Sequence, residues 1–294
     1  MPQPFIVADV FTDKRFGGNP LAVVLDADRL TTAQMQQIAR EFNFSETTFV
    51  CAPQQGGDYQ IRIFTPSSEV PFAGHPNIGT ACVLAEHLDV VSGYCFQFEE
   101  RAGRVPVTVR RTGKLWQAEL VAPEPLQFGQ VHDPALIAEV LSLSVDDLAL
   151  QTHSPQITSV GLPFVMVELK THDALQRARV NTQALDRLLA IEPNPFLHLY
   201  VKTADDEVDV RTRMFAPTDG VPEDPATGSA NCALAAMLAQ YDAADEGEYQ
   251  LQIAQGDEMG RPSRLFTTIT KQAGIVSDVR IAGSSVVFCE GLLR

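Results

Sequence analysis

Apolar and polar residues alternate along much of this chain. Tyr59-Gln60-Ile61-Arg62-Ile63 and Tyr249-Gln250-Leu251-Gln252-Ile253 alternate strictly, the period of a half-buried antiparallel strand. Strand-like runs of apolar and β-branched residues also cover 5–11, 21–25, 94–98, 105–110, 116–121, 164–169, 196–201, 208–215, 265–270, 275–281 and 285–289. Helical patterns are fewer. Residues 32–42 are amphipathic, with Thr31 or Thr32 available as N-cap, and 136–143 and 182–191 read as short surface helices. Two further helices are of another kind. Neither 70–85 nor 225–241 contains Asp, Glu, Lys or Arg, and a helix apolar all round is buried all round. The pattern predicts an α+β fold, a curved and mostly antiparallel sheet wrapped around one central buried helix, made twice.

The two buried helices open on related segments. One is Gly74-His75-Pro76-Asn77-Ile78-Gly79-Thr80-Ala81, the other Asp224-Pro225-Ala226-Thr227-Gly228-Ser229-Ala230-Asn231. Both contain Pro-x-x-Gly-[Ser/Thr]-Ala behind a titratable residue, and each follows a Phe-x-Pro, at Phe64 and at Phe215. The alignment pairs His75 with Asp224, Gly79 with Gly228 and Thr80 with Ser229. A helix N-terminus offers free N–H groups and a positive dipole end, so two of them facing one cleft would hold a small anion without lysine or arginine. Ala122-Pro123-Glu124-Pro125-Leu126 resists both helix and strand and is the expected linker. Domains of 1–122 and 123–294 follow, with 283–294 expected to pack back on the first.

Composition narrows the function. Of 294 residues, 22 are Lys or Arg and 37 Asp or Glu, a formal charge of −15. That argues against a nucleic-acid partner and against docking on anionic lipid. Five cysteines, odd in number and without a Cys-x-x-Cys, read as a reduced cytosolic chain rather than a disulfide scaffold or zinc site. The N-terminal residues lack the pattern of a signal peptide, and no uncharged apolar run has membrane-spanning length. The six histidines show no metal-ligand spacing, and Gly-x-Gly-x-x-Gly, a Walker loop and Gly-x-Ser-x-Gly are missing. The simplest remaining chemistry is proton transfer at carbon or oxygen, without metal or cofactor.

Each candidate residue has two readings. Glu46, among hydroxyls at the entry to a strand-like run, is either a partly buried general acid–base or a solvent-facing edge residue. His75, at a helix start where the dipole disfavours imidazolium, either orients a carboxylate or shuttles a proton, or is a structural histidine bonded to backbone. Asp224 either caps a helix or acts on substrate. Gly228, Ser229, Gly79 and Thr80 either donate backbone N–H groups to an oxyanion or serve close packing. Asn19, in the turn Phe16-Gly17-Gly18-Asn19-Pro20, either reaches a ligand or belongs to a plain turn, and Arg261 either clamps an anion or is a solvated loop arginine.

Taken in order, Phe16-Gly17-Gly18-Asn19-Pro20, Ser45-Glu46-Thr47, Phe72-Ala73-Gly74-His75-Pro76, Glu223 through Ala230 and Gly260-Arg261-Pro262-Ser263 resemble the phenazine-biosynthesis isomerase (PhzF-like) family, from about residue 5 to the C-terminus. The resemblance implies the diaminopimelate-epimerase fold with the active site between two similar domains, a cofactor-free isomerase, and frequently a homodimer. In the phenazine member a glutamate moves a proton between carbons of a dihydro-hydroxyanthranilate, giving a ketone. Glu46 matches that glutamate; His75, Asp224 and Ser229 match its assisting polar residues. Gly74 and Gly228 match substrate-contacting backbone, and Asn19 a substrate contact; Ser45, Gly79 and Thr80 complete the expected binding set. The epimerases of this fold use paired cysteines at the helix starts. Here Cys82 and Cys232 lie inside their helices, which disfavours a two-thiol racemase. The expectation is an isomerase of a small, cyclic carboxylic acid, with a non-catalytic acid-binding protein as its rival.

Overall fold

The computed structural model describes residues 2–204, 207–218 and 221–294. They form two compact units, one of Met1–Val121 with Ala282–Arg294, the other of Ala122–Ile281. The first contains β1 (Gln3–Val10), β2 (Asn19–Val24), α1 (Thr32–Phe42), β3 (Glu46–Cys51), β4 (Tyr59–Phe64), β5 (Glu69–Val70), α2 (Gly74–His87), β6 (Cys95–Glu100), β7 (Gly103–Thr112) and β8 (Leu115–Val121). The second contains β9 (Gln127–Val131), α3 (Pro134–Val140), β10 (Gln156–Ser159), β11 (Pro163–Glu168), α4 (His172–Arg177), α5 (Thr182–Leu189), β12 (Leu197–Lys202), β13 (Val210–Ala216), β14 (Val221–Asp224), α6 (Gly228–Tyr241), β15 (Gly247–Gln255) and β16 (Ser263–Gln272). A last strand, β17 (Ile275–Leu293), starts in the second unit and ends in the first.

In the first unit β2 runs parallel to β3 and β4 parallel to β6, while β1–β2, β3–β4, β6–β7 and β7–β8 are antiparallel. β17 pairs with both β1 and β8, which closes a ring of eight strands. α2 packs inside against β1, β2, β3, β7 and β8, and is buried from His75 to Ala85. That explains its small residues. A Cβ on Gly79 would lie 2.6 Å from side-chain carbons of both Val10 and Leu21, so only glycine lets the helix come this close. α1 covers the outside of the sheet with Met35 and Ala39, and Thr31 caps it reciprocally with Gln34.

The second unit repeats the plan. β11 runs parallel to β12 and β13 to β15, with antiparallel neighbours around them, and α6 packs against β10, β11, β15 and β16. α3, α4 and α5 bury Ile137, Leu175, Leu185 and Leu188 against the outer face of β11 and β12. The order β3–β4–β5–α2–β6–β7 thus recurs as β12–β13–β14–α6–β15–β16. The pairings match as well. Phe64 faces Thr47 across β3–β4, and Phe215 faces Leu197 across β12–β13.

Two expectations change. The runs 275–281 and 285–289 are one strand, because the small residues between them are a packing need rather than a turn: a Cβ on Gly283 would meet the Phe11 ring at 2.1 Å. The repeat is also out of register with the sequence alignment. α2 begins at Gly74 and α6 at Gly228, both run for 14 residues, and in each an asparagine three residues further on, Asn77 or Asn231, donates its side-chain amide to the N-cap carbonyl, at 3.1 and 3.0 Å. Gly74 therefore corresponds to Gly228 and His75 to Ser229. Among the described residues, no helix is long and apolar enough to cross a membrane.

Candidate active site

Four expected residues of the first unit meet where β2, β3 and α2 begin. Parallel pairing sets Glu46, the first residue of β3, beside Leu21 of β2. Ser45 donates its hydroxyl to Asn19 Oδ1 at 3.0 Å, tying the start of β2 to the residue before Glu46. Glu46 is half-buried, and its Oε2 lies 3.5 Å from Nδ1 of His75, the second residue of α2. His75 is 5% exposed, and burial pulls its pKa down to about 3. The imidazole is neutral at physiological pH, so this contact is not an ion pair. Nε2 of His75 is buried without a hydrogen-bond partner. Gly74 supplies the first helical residue, and Ala73 ahead of it makes no side-chain cap.

Gly79 and Thr80 do not belong to this helix start. They stand one to two turns inside α2, where their N–H groups face helical carbonyls. Gly79 serves the close approach to Val10 and Leu21, and the Thr80 hydroxyl bonds the Thr48 hydroxyl at 2.9 Å, both buried. The expected N–H donation from these two is corrected accordingly.

In the second unit Asp224 ends β14, four residues before α6, and is buried. It is not the N-cap. Thr227 is, and Asp224 Oδ2 accepts that residue's hydroxyl at 2.5 Å. Gly228 and Ser229 open α6, and Thr227 makes no side-chain cap. At neither helix start are the first N–H groups taken up by the side chain of the N-cap residue. Arg261 sits in a turn whose next strand is tied to the same place, since the Ser263 hydroxyl donates to Pro225 O at 2.8 Å.

Several residues near these starts escape a reading by motif. Arg213, 3% exposed, grips Glu223 with two hydrogen bonds of 2.7 and 2.8 Å. Glu100, at the end of β6, has both carboxyl oxygens buried without a hydrogen bond. Burial raises its pKa to about 8. At neutral pH it is a protonated acid. The native state then holds a proton that the unfolded chain has lost, so stability falls as pH rises from the ordinary carboxylate range toward 8. Glu100→Gln removes this dependence, flattening stability by about 2–3 kcal/mol between pH 6 and pH 8 in urea unfolding; an unchanged pH slope would contradict the assignment. Cys82 and Cys232 are buried within α2 and α6, and burial pushes both thiols up to about 12. Neither supplies a thiolate at neutral pH, which a two-thiol racemase requires.

Two halves built alike, each with a sheet curled around one buried helix, define a protein of the diaminopimelate-epimerase-like fold. The chain belongs to the phenazine biosynthesis-like (PhzC-PhzF) family, whose family model matches residues 8–291, and it is a PhzF-like isomerase. An isomerase of Mesorhizobium japonicum is 40% identical to it over 98% of both chains. The trans-2,3-dihydro-3-hydroxyanthranilate isomerase of Pseudomonas fluorescens is 36% identical, again over 98% of both. The crystal structure of a PhzF-family phenazine biosynthesis protein from Bacillus anthracis superposes with a TM-score of 0.91 at 28% identity, over 100% of this chain and 99% of that one.

Proposed function

We propose that this isomerase moves a proton within a small, cyclic carboxylic acid by general acid–base catalysis at Glu46, without a cofactor. The observation that carries the reading is the pair Glu46–His75: a half-buried carboxyl 3.5 Å from a buried, neutral imidazole, at an uncapped helix start. Glu46 is given the part of taking up and releasing the proton, the role a carboxyl plays as general acid–base. His75 stands beside the Glu46 carboxyl to assist it, and its Nε2 is a buried nitrogen without a hydrogen-bond partner.

The steps balance without oxidant or reductant. The Glu46 carboxylate takes a proton from one ring carbon, and the electron pair of that C–H bond shifts into the neighbouring unsaturation. The same carboxyl then returns the proton to another carbon on the same face. Backbone N–H groups at Gly74 and Gly228 hold the substrate carboxylate and the developing charge, while Asp224, Ser229 and Asn19 orient the ring.

The named relatives make trans-2,3-dihydro-3-hydroxyanthranilate the first substrate to try. Proton NMR of the protein with this acid and related cyclic acids is the test. An isomerised product supports the reading. Saturable binding of one acid without turnover would replace it with an acid-binding protein.

A further inference from the structure

The carboxylate of Asp224 is held by a buried polar network that no motif announces. At its centre is Gln255, 1% exposed at the end of β15, beside Thr212 of β13. Its Oε1 accepts from Thr227 N at 3.1 Å and from Asn231 Nδ2 at 2.7 Å. Its Nε2 donates to Asp224 O at 2.8 Å and to Thr227 Oγ1 at 3.0 Å. All four hydrogen-bonding positions of the amide are used, and the amide cannot flip without setting NH₂ against the N–H of Thr227. Asn231 is fixed in turn: its Oδ1 lies 3.2 Å from Nε2 of His198, which burial keeps neutral with a pKa of about 3.

This arrangement sets the direction of one proton. The hydroxyl of Thr227 has a single hydrogen. Since Gln255 Nε2 can only donate, that hydrogen is left for Asp224 Oδ2, 2.5 Å away. The amide thereby makes Thr227 a donor to Asp224 and fixes the carboxylate against the start of α6. The other half has a comparable post. Across β4–β6 Gln60 pairs with Glu99, and across β13–β15 Arg211 pairs with Ala254, so Glu100 occupies the place of Gln255. Asn77 stands there for Asn231, and the Glu100 carboxyl, protonated at neutral pH, is the nearest acid analogue of an amide.

We propose that Gln255 is a positioning residue, which through the hydroxyl of Thr227 orients the Asp224 carboxylate toward the substrate. This rests on the role given to Asp224 above, and the experiment separates the two. Gln255→Glu keeps size and shape but has at most one donor where the amide has two, so Asp224 O or Thr227 Oγ1 loses its hydrogen bond and the Thr227 hydroxyl is no longer directed by the amide. With trans-2,3-dihydro-3-hydroxyanthranilate, Gln255→Glu and Thr227→Val should each lower kcat at least about tenfold, with KM changed less than about threefold. Gln255→Glu should add almost nothing on an Asp224→Asn background. Without substrate, the ¹H–¹⁵N side-chain resonance of Gln255 should move from its wild-type position in both Thr227→Val and Asp224→Asn.

Asp224→Asn with full turnover would sink the role of Asp224 and this proposal with it. Asp224→Asn inactive but Gln255→Glu with unchanged kcat would overturn this proposal alone, leaving Gln255 a structural amide. If the acid is not turned over, the amide resonance decides: unmoved by both variants, it overturns the network.

Discussion

Glu46→Gln keeps the fold and loses turnover. The amide has the size and shape of the carboxyl but cannot accept and return a proton, so kcat should fall by about 10²–10⁴-fold, the range of a lost general acid–base. KM should stay within about threefold, because the groups assigned to hold the substrate carboxylate are backbone N–H groups at Gly74 and Gly228 rather than Glu46. The unfolding midpoint should barely move, since Glu46 is half-buried and its neighbour His75 is neutral. Steady-state kinetics and thermal unfolding on one preparation check all three. A variant with wild-type kcat would remove Glu46 from the mechanism.

Arg213→Met, in contrast, should damage the fold. Beyond Glu223, the guanidinium donates to Leu175 O at 2.8 Å and Ala178 O at 2.9 Å, and it lies 4.8 Å above the Phe215 ring. It pins β13 to β14 and to the end of α4. Removing one partner of a buried ion pair leaves the other charge poorly compensated, and the expected loss is about 3–5 kcal/mol in urea unfolding. The double variant Arg213→Met with Glu223→Leu should recover much of that, since an apolar pair of similar volume leaves no charge behind. Equal losses in single and double variants would mean that the carbonyl contacts, not the ion pair, hold this corner.

Much of the fold was legible because its determinants are local. Alternation in 59–63 and 249–253 placed β4 and β15. The capping signal at Thr31 placed α1, and the charge-free runs placed α2 and α6. The register of the repeat was not legible. Pro-x-x-Gly-[Ser/Thr]-Ala recurs, but glycine is used for different reasons at its two positions. Gly79 is small because Val10 and Leu21 press on it, whereas Gly228 opens a helix. One-letter similarity cannot tell a packing glycine from a helix-start glycine. Gln255, Asn231 and Glu100 were equally silent, because strand pairing rather than spacing brings them to the helix starts.

The duplicated framework also carries an asymmetry. Glu46 precedes Thr47, the partner of Phe64; in the second half the residue before Leu197, the partner of Phe215, is Phe196. The helix start is made twice, but the carboxyl at the strand entry, Glu46, only once; the carboxyl of the second half, Asp224, stands before the helix instead. A racemase that works with one base on each face of its substrate needs two such groups. One carboxyl is what a proton removed and returned on a single face requires.

That single carboxyl is tested most directly by running the reaction on trans-2,3-dihydro-3-hydroxyanthranilate in deuterated water and counting deuterium at the newly protonated carbon. A proton carried by Glu46 alone predicts product with at most one deuterium there, a measurable fraction keeping the original hydrogen in the earliest turnovers, and neither product nor exchange with Glu46→Gln. Product formed by Glu46→Gln at the wild-type rate, with the same isotope pattern, would contradict the account.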